Sequence, residues 1–244
     1  MKKGTAKGLM MVGSLRSAGI TIYMRQGKMV TRVSNSNEKR SNTLPQFIQR
    51  QKMRHSIALW SMLKSCKPTF TKHQNAYVNF TSLANQLPAV YVKKILMDGA
   101  SFLMPGIPVS DGTLPTISEQ LGEVDGIPAL MTNLKADAWK YQTKLWLYTA
   151  EQQEGDSNPR VWFSKREVSW QEMTLVDGRY VLKDESFADE MKGWALVLVK
   201  GNRCSPQTIV TRCTLYQQYT TKEALQAAAK SYGGLTDTPS QSPN

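Results

Sequence analysis

The amino-acid sequence predicts an α+β protein: a basic β-hairpin, a pair of amphipathic helices, and then an antiparallel β-sandwich closed by a C-terminal helix. Three observations predict this class. Between Ser41 and Leu87 apolar residues recur at intervals of three and four, the helical period, and Pro45, Pro68 and Pro88 punctuate the stretch. Beyond Val90, short β-prone runs alternate with turn dipeptides such as Asp125-Gly126 and Asp177-Gly178. Trp194-Ala195-Leu196-Val197-Leu198-Val199 is apolar at every position, as in a strand buried on both faces. The expected division is residues 1–88 for a basic hairpin and two-helix module, 89–232 for the sandwich with its terminal helix, and 233–244 for a disordered tail.

Taken in order, the first segment is punctuated by Gly4, Gly8, Gly13 and Gly19, a spacing that permits tight turns and disfavours a stable helix. Ile20 to Met24 and Met29 to Val33 then flank Arg25-Gln26-Gly27-Lys28, which reads as a hairpin. On its first strand Ile20, Ile22 and Met24 share one face, and Thr21, Tyr23 and Arg25 the other. Ser41-Asn42-Thr43 followed by Pro45 is a helix start, and the helix is expected to run to about Cys66. Its core stripe is read as Ile48, Leu59, Met62 and Cys66, widened by Met53, Ile57 and Trp60. A second helix is expected from near Thr71 to Leu87, carrying Ala76, Phe80, Leu83 and Leu87 inward, so that a Lys-Pro connection makes a helical hairpin.

The strands of the sandwich are placed at Val90–Val92, Ser101–Met104, Lys144–Thr149, Val161–Val168, Tyr180–Leu182, Trp194–Val199 and Thr208–Tyr219. Turns are placed at Pro105-Gly106, Asp111-Gly112, Asp125-Gly126, Gly155-Asp156, Asp177-Gly178 and Gly201-Asn202. A final Ala-rich helix runs from Thr221 to about Lys230 and stops at Gly233-Gly234.

The charge is segregated. Of a net +12, the residues up to Lys72 hold fifteen Lys and Arg against a single acid, Glu38, whereas His73 to Asn244 is close to neutral. Such asymmetry suggests one part that faces a polyanion, DNA or RNA, or an acidic protein, and one part that does not. No apolar run approaches the ~20 residues that span a bilayer, so no membrane partner is expected. Lys7 and Arg16 interrupt any apolar leader segment, which points to a cytoplasmic chain. Cys66, Cys204 and Cys213 form no Cys-x-x-Cys pair; they read as buried thiols, with a Cys204–Cys213 pairing the alternative.

The inventory for catalysis is thin. His55 falls beside the core stripe of the first helix, where a packed histidine is the expectation, and His73 lies near the start of the second. Neither has a second ligand at metal spacing, so no metal or cofactor is expected. Gly4-Thr5-Ala6-Lys7-Gly8 lacks the full phosphate-loop pattern, and no Gly-x-Ser-x-Gly elbow occurs. Asp184, Glu185, Asp189 and Glu190 read as a solvated turn between strands. What remains is a set of basic residues interleaved with an aromatic and amides. Arg16, Tyr23, Arg25, Lys28 and Arg32 lie on or beside the hairpin, and Arg50, Lys52 and Arg54 lie on the first helix among Gln46, Gln49 and Gln51. Lys and Arg neutralise phosphates, and Tyr can stack on an unpaired base.

Gly13, Tyr23, Arg25, Gly27-Lys28 and Arg32, the helix opening Thr43-Leu44-Pro45-Gln46 with Gln49-Arg50, Asn75-Ala76-Tyr77, and the stretch from Lys192-Gly193-Trp194 through Ser205 resemble a family of Bacteroidota proteins with no established activity. Where its members commonly show Asn-Pro before the helix, this chain has Asn42-Thr43 with Pro45 later. The resemblance implies an immunoglobulin-like or fibronectin-like C-terminal domain and carries no chemistry with it. The functional expectation is a non-enzymatic nucleic-acid-binding protein without strong sequence specificity. The alternative is a structural assembly protein, such as a ring, filament or virion-like component of a mobile element or phage, that self-associates or meets an acidic protein through its basic face.

Overall fold

In a computed structural model of the 244-residue chain, residues 20–25, 28–33, 44–70, 75–86, 101–135, 143–153 and 159–214 are described, with helical positions at Glu223, Gln226 and Ala227. The chain is mixed α+β, with few helices and several antiparallel sheets arranged as a β-sandwich. It divides into two units, Met1–Ser41 with Thr238–Asn244, and Asn42–Asp237. The two helices therefore belong with the sandwich strands, because they share a core with them, and the division falls between Ser41 and Asn42.

In the smaller unit, β1 (Ile20–Arg25) and β2 (Lys28–Val33) pair antiparallel in a two-stranded sheet. Tyr23 stands opposite Val30, and Arg25 opposite Lys28.

The larger unit opens with α1 (Leu44–Leu63), followed by one 3-10 turn (Lys64–Cys66). Lys67 adopts a left-handed conformation (φ 49°), and Thr69–Phe70 then forms a short strand, β3. The second helix, α2, spans Ala76–Ala84, later than the expected start near Thr71. Its start is set by Asn75, whose side chain accepts from the N–H of Tyr77 at 3.0 Å and so satisfies a helix donor left without a backbone partner. The link between the helices thus contains a strand: β3 runs parallel to β4 (Pro108–Asp111), which also pairs with β13 (Gln207–Thr208).

Four strands, β5 (Glu119–Val124), β6 (Ile127–Lys135), β9 (Met173–Val176) and β10 (Arg179–Lys183), form one sheet in the order β5-β6-β10-β9. A second sheet takes β7 (Lys144–Gln153), β8 (Arg160–Val168), β11 (Lys192–Lys200) and β12 (Arg203–Cys204) in the order β12-β11-β7-β8, and β14 (Val210–Thr211) also pairs with β11. Asp125-Gly126 and Asp177-Gly178 join β5 to β6 and β9 to β10. Both residues of each turn have positive φ, the mirror-image turn that matches strand twist. Gly112, expected in a turn, serves close approach instead: a Cβ there would collide with the carbonyl oxygen of Cys204.

The five-stranded sheet is the middle layer. Trp194, Leu196 and Leu198 of β11, with Leu145 and Leu147 of β7, pack against Leu130, Tyr180 and Leu182 of the four-stranded sheet. Ala195 and Val197, with Tyr148, Ala150, Val161 and Phe163, pack against Leu59 and Leu63 of α1 and Phe80 and Ala84 of α2. The apolar run at Trp194 is therefore buried on both faces, as its sequence predicts. Trp60 bridges the helices, with ring centroids 5.9 Å from Tyr77 and 5.4 Å from Phe80. The buried stripe of α1 is His55, Ser56, Leu59 and Leu63, a rotation from the expected one that leaves Ile57 50% exposed. Cys66, Cys204 and Cys213 are all free thiols.

Ser101–Met104, expected as a strand, is buried but joins no ladder, because side chains replace the missing neighbour. The His55 Nε2 accepts from Phe102 N–H (3.2 Å), Gln152 Oε1 from Leu103 N–H (2.7 Å), and Ser101 Oγ from Val161 N–H (2.9 Å). The strand expected at residues 90–92, the turn at Gly155-Asp156, residues 215–219, the tail and most of the terminal helix lie outside the described residues.

Burial lowers the His55 pKa from 6.5 to about 4. Above pH 6.5 the imidazole is neutral in both states. Between 6.5 and 4 the unfolded chain takes up a proton that the folded one refuses, so stability falls as pH falls through that window, by about 3 kcal/mol for this group. Comparing denaturant midpoints of wild type and His55→Gln at pH 7 and pH 4.5 tests this: the variant should lose distinctly less on acidification.

Candidate functional site

The residues singled out for phosphate contact fall in two places. Antiparallel partners that stand opposite each other share a face. The β1–β2 register therefore puts Thr21, Tyr23 and Arg25 on one face with Lys28, Val30 and Arg32. The other face holds Ile20, Ile22 and Met24 opposite Val33, Thr31 and Met29. The residues of β1 and β2 singled out for phosphate contact thus occupy one face of the ladder. Arg16 lies outside the described residues.

On α1, Gln46, Gln49, Arg50, Arg54, Ile57 and Ser61 are exposed along the outer side of the helix. Arg50 and Arg54, four residues apart, are neighbours there. Lys52 is half-buried, and its ammonium donates to the carbonyl of Asn85 at 3.5 Å, at the C-terminal end of α2, where a cation suits the helix dipole. Lys52 thus sits at the join between the helices, while Arg50 and Arg54 are presented outward.

Arg54 lines a groove of about 320 Å³ whose walls include Ile57, Met62, Ser101 and Arg160. Arg160, from the near-neutral part of the chain, was not singled out by charge counting. Its signal is the alternation of exposed and buried residues along β8, which is legible only once the strand's faces are assigned.

The acidic cluster is a capping device. Asp184 accepts from Ser186 N–H (2.9 Å), and Asp189 from Met191 N–H (2.8 Å) while pairing with Lys192 at 3.1 Å. Among the described residues no group of three or more His, Cys, Asp or Glu is placed to hold a metal ion.

One carboxyl escaped the sequence reading. Glu119 lies beside a cleft of about 610 Å³ that is also lined by Pro105, Asp111 and Gln207. Its Oε1 accepts from Leu196 N–H (2.7 Å) and from Gln207 Nε2 (3.0 Å), while Oε2 is sealed from solvent without a partner. Gln207 Nε2 also donates to the Leu196 carbonyl (3.0 Å), and Ser205 both donates to the Leu198 carbonyl (2.9 Å) and accepts from Leu198 N–H (3.0 Å). Strand β14 covers only Gly193-Trp194 and β12 only Val199-Lys200, so these three residues fill the gap along the edge of β11. Glu119 is a backbone-satisfying group, and desolvation raises its pKa well above the ordinary carboxylate value.

No protein-family model, curated protein or solved structure matches the chain. Among the described residues no helix is long and apolar enough to cross a membrane.

Because the folded state holds a proton on Glu119 that the unfolded chain releases above the ordinary carboxylate range, this group removes stability as pH rises through that range. Glu119→Gln keeps the Oε1 acceptor without the ionisation. Thermal melts from pH 4 to pH 8 should show the variant more stable than wild type at neutral pH, with the gap closing towards pH 4.

Proposed function

We propose that the protein is a non-enzymatic, basic nucleic-acid-binding protein that grips phosphates through the Tyr23, Arg25, Lys28 and Arg32 face of its hairpin and through Arg50 and Arg54 of α1, with little sequence preference. The observation that carries this reading is the β1–β2 register, which brings Arg25, Lys28, Arg32 and Tyr23 to one face and leaves the other without a cation. The segregated charge supports it: an excess of this size within the first 72 residues costs self-repulsion unless a polyanion or acidic surface neutralises it. The set lacks any base-reading motif, so affinity comes from backbone contacts.

The scaffold is read as immunoglobulin-like, in keeping with the Bacteroidota resemblance. The strand orders support this reading: β5-β6-β10-β9 against β12-β11-β7-β8 has the succession A-B-E-D against G-F-C-C′.

A second reading, self-assembly, is favoured by one observation. Among the described residues β1 and β2 have only each other as strand neighbours, and a lone two-stranded ribbon is marginal in water. Added strands from another copy would complete it. Light scattering at high protein concentration decides this point; a strict monomer overturns assembly.

The salt dependence of binding tests the main reading. With five cations, Arg25, Lys28, Arg32, Arg50 and Arg54, on phosphates, duplex affinity should fall by a few hundredfold between about 50 and 200 mM salt. Absence of binding at 50 mM refutes the reading. Arg50→Ala with Arg54→Ala should reduce the log–log salt slope by about two while leaving the melting temperature unchanged.

A further inference from the structure

Strand β8 is the last strand of the five-stranded sheet, so its outer edge carries no partner strand among the described residues. Its sequence alternates strictly over its first half. Val161 and Phe163 are buried against the helices, whereas Arg160, Trp162, Ser164 and Arg166 are exposed. Alternate residues of a strand point to the same side, about 6.5 Å apart, so these four form one row. The row shares its face with Val168, which is buried beneath the four-stranded sheet, but residues 160–166 emerge from that cover. Trp162 is 45% exposed, whereas Trp194 of the same sheet is 1% exposed.

A large indole held in the open beside an arginine is costly to solvate and has no packing role on its exposed side. It has the chemistry of a stacking platform: an aromatic face for an unpaired base, with the Arg160 guanidinium beside it for an adjoining phosphate. A duplex base has no free face to offer, so the ligand is single-stranded. The surrounding charges sharpen the assignment of roles. Glu151 stands directly opposite Trp162 on β7, Arg166 is paired with Glu172 at 2.8 Å, and Lys144 with Glu167 at 3.3 Å. Arg160 has Gln153 opposite it and also lines the groove that carries Arg54 and Ile57. The cationic side of the platform is therefore the Arg160 end, away from Glu172.

We propose that Trp162 and Arg160 form a subsite for single-stranded nucleic acid in which a base stacks on Trp162 and the adjoining phosphate is held by Arg160. This rests on the nucleic-acid reading above and adds to it a strand preference and a contact in the part of the chain that is close to neutral.

The test uses the full chain with two fluorescein-labelled probes of equal length, a single-stranded oligothymidine and a duplex, titrated by anisotropy at about 50 mM salt. Base–aromatic stacking is worth about 1–3 kcal/mol, so Trp162→Ala should weaken single-strand binding by roughly five- to a hundredfold. Duplex binding should change less than twofold. Trp162→Phe should restore most of the loss, and Arg160→Ala should weaken the single strand more than the duplex. Because both side chains are exposed, melting temperatures should match wild type, which separates this role from a structural one. If wild type binds neither probe, the nucleic-acid reading itself fails. If wild type binds while Trp162→Ala and Arg160→Ala leave single-strand affinity unchanged, the subsite is overturned and the phosphate-binding reading survives. Equal losses on both probes also overturn it, since stacking cannot be the cause.

Discussion

A strand that is buried on both faces has to find backbone partners along its whole length, and β11 does so by an unusual route. Its inner edge pairs with β7 from Lys192 to Val199. Its outer edge meets two fragments that leave a gap at residues 195–198, where Glu119, Ser205 and Gln207 supply the donors and acceptors that a neighbouring strand would have supplied. A buried amide without a partner costs about 1–3 kcal/mol. A gap left open across several such groups would cancel much of a domain's net stability. Both cores hang from this strand, since Trp194, Leu196 and Leu198 anchor one and Ala195 and Val197 the other.

The same solution recurs at the helix side. Ser101–Met104 lies buried without a ladder, and His55 and Gln152 take the place of a strand. This ties the position of α1 to the sheet by polar contacts as well as by Leu59 and Leu63. It also explains how exposed residues of a helix can be held in fixed relation to β8: the helix is clamped through its own buried histidine to the segment that borders Arg160.

The periodic and chiral parts of this architecture were legible in the sequence. The all-apolar run announced a strand covered on both sides, and Asp125-Gly126 and Asp177-Gly178 announced their turns, because few other dipeptides adopt two positive φ values at low cost. The helices were legible from their period, although Ile57 was placed inward: the rule counts apolar residues, and here His55 and Ser56 take core positions because their polar atoms find backbone partners. Strand β5 (Glu-Gln-Leu-Gly-Glu-Val) was missed because it is an edge strand with little apolar content, and Ser101–Met104 was expected as a strand because its apolar run does not reveal that its partners are side chains distant in sequence. Among the candidate contacts, charge counting found the cations of the first 72 residues. It could not find Arg160, which belongs to a stretch where acids and bases balance and whose meaning depends on which face of β8 it occupies.

The open edge of β8 has one more consequence, for solubility. Nine residues of unpaired strand edge are a template on which a second molecule can continue the sheet, and proteins guard such edges with charge. Here the guard is Arg160 and Lys165, with Arg166 tied to Glu172. Like-charge repulsion between two such edges is strong in dilute buffer and fades within a Debye length of about 8 Å at physiological ionic strength. The strand is thus kept apart from its own copies by charge, and any condition that neutralises that charge also lowers the barrier to edge-to-edge association.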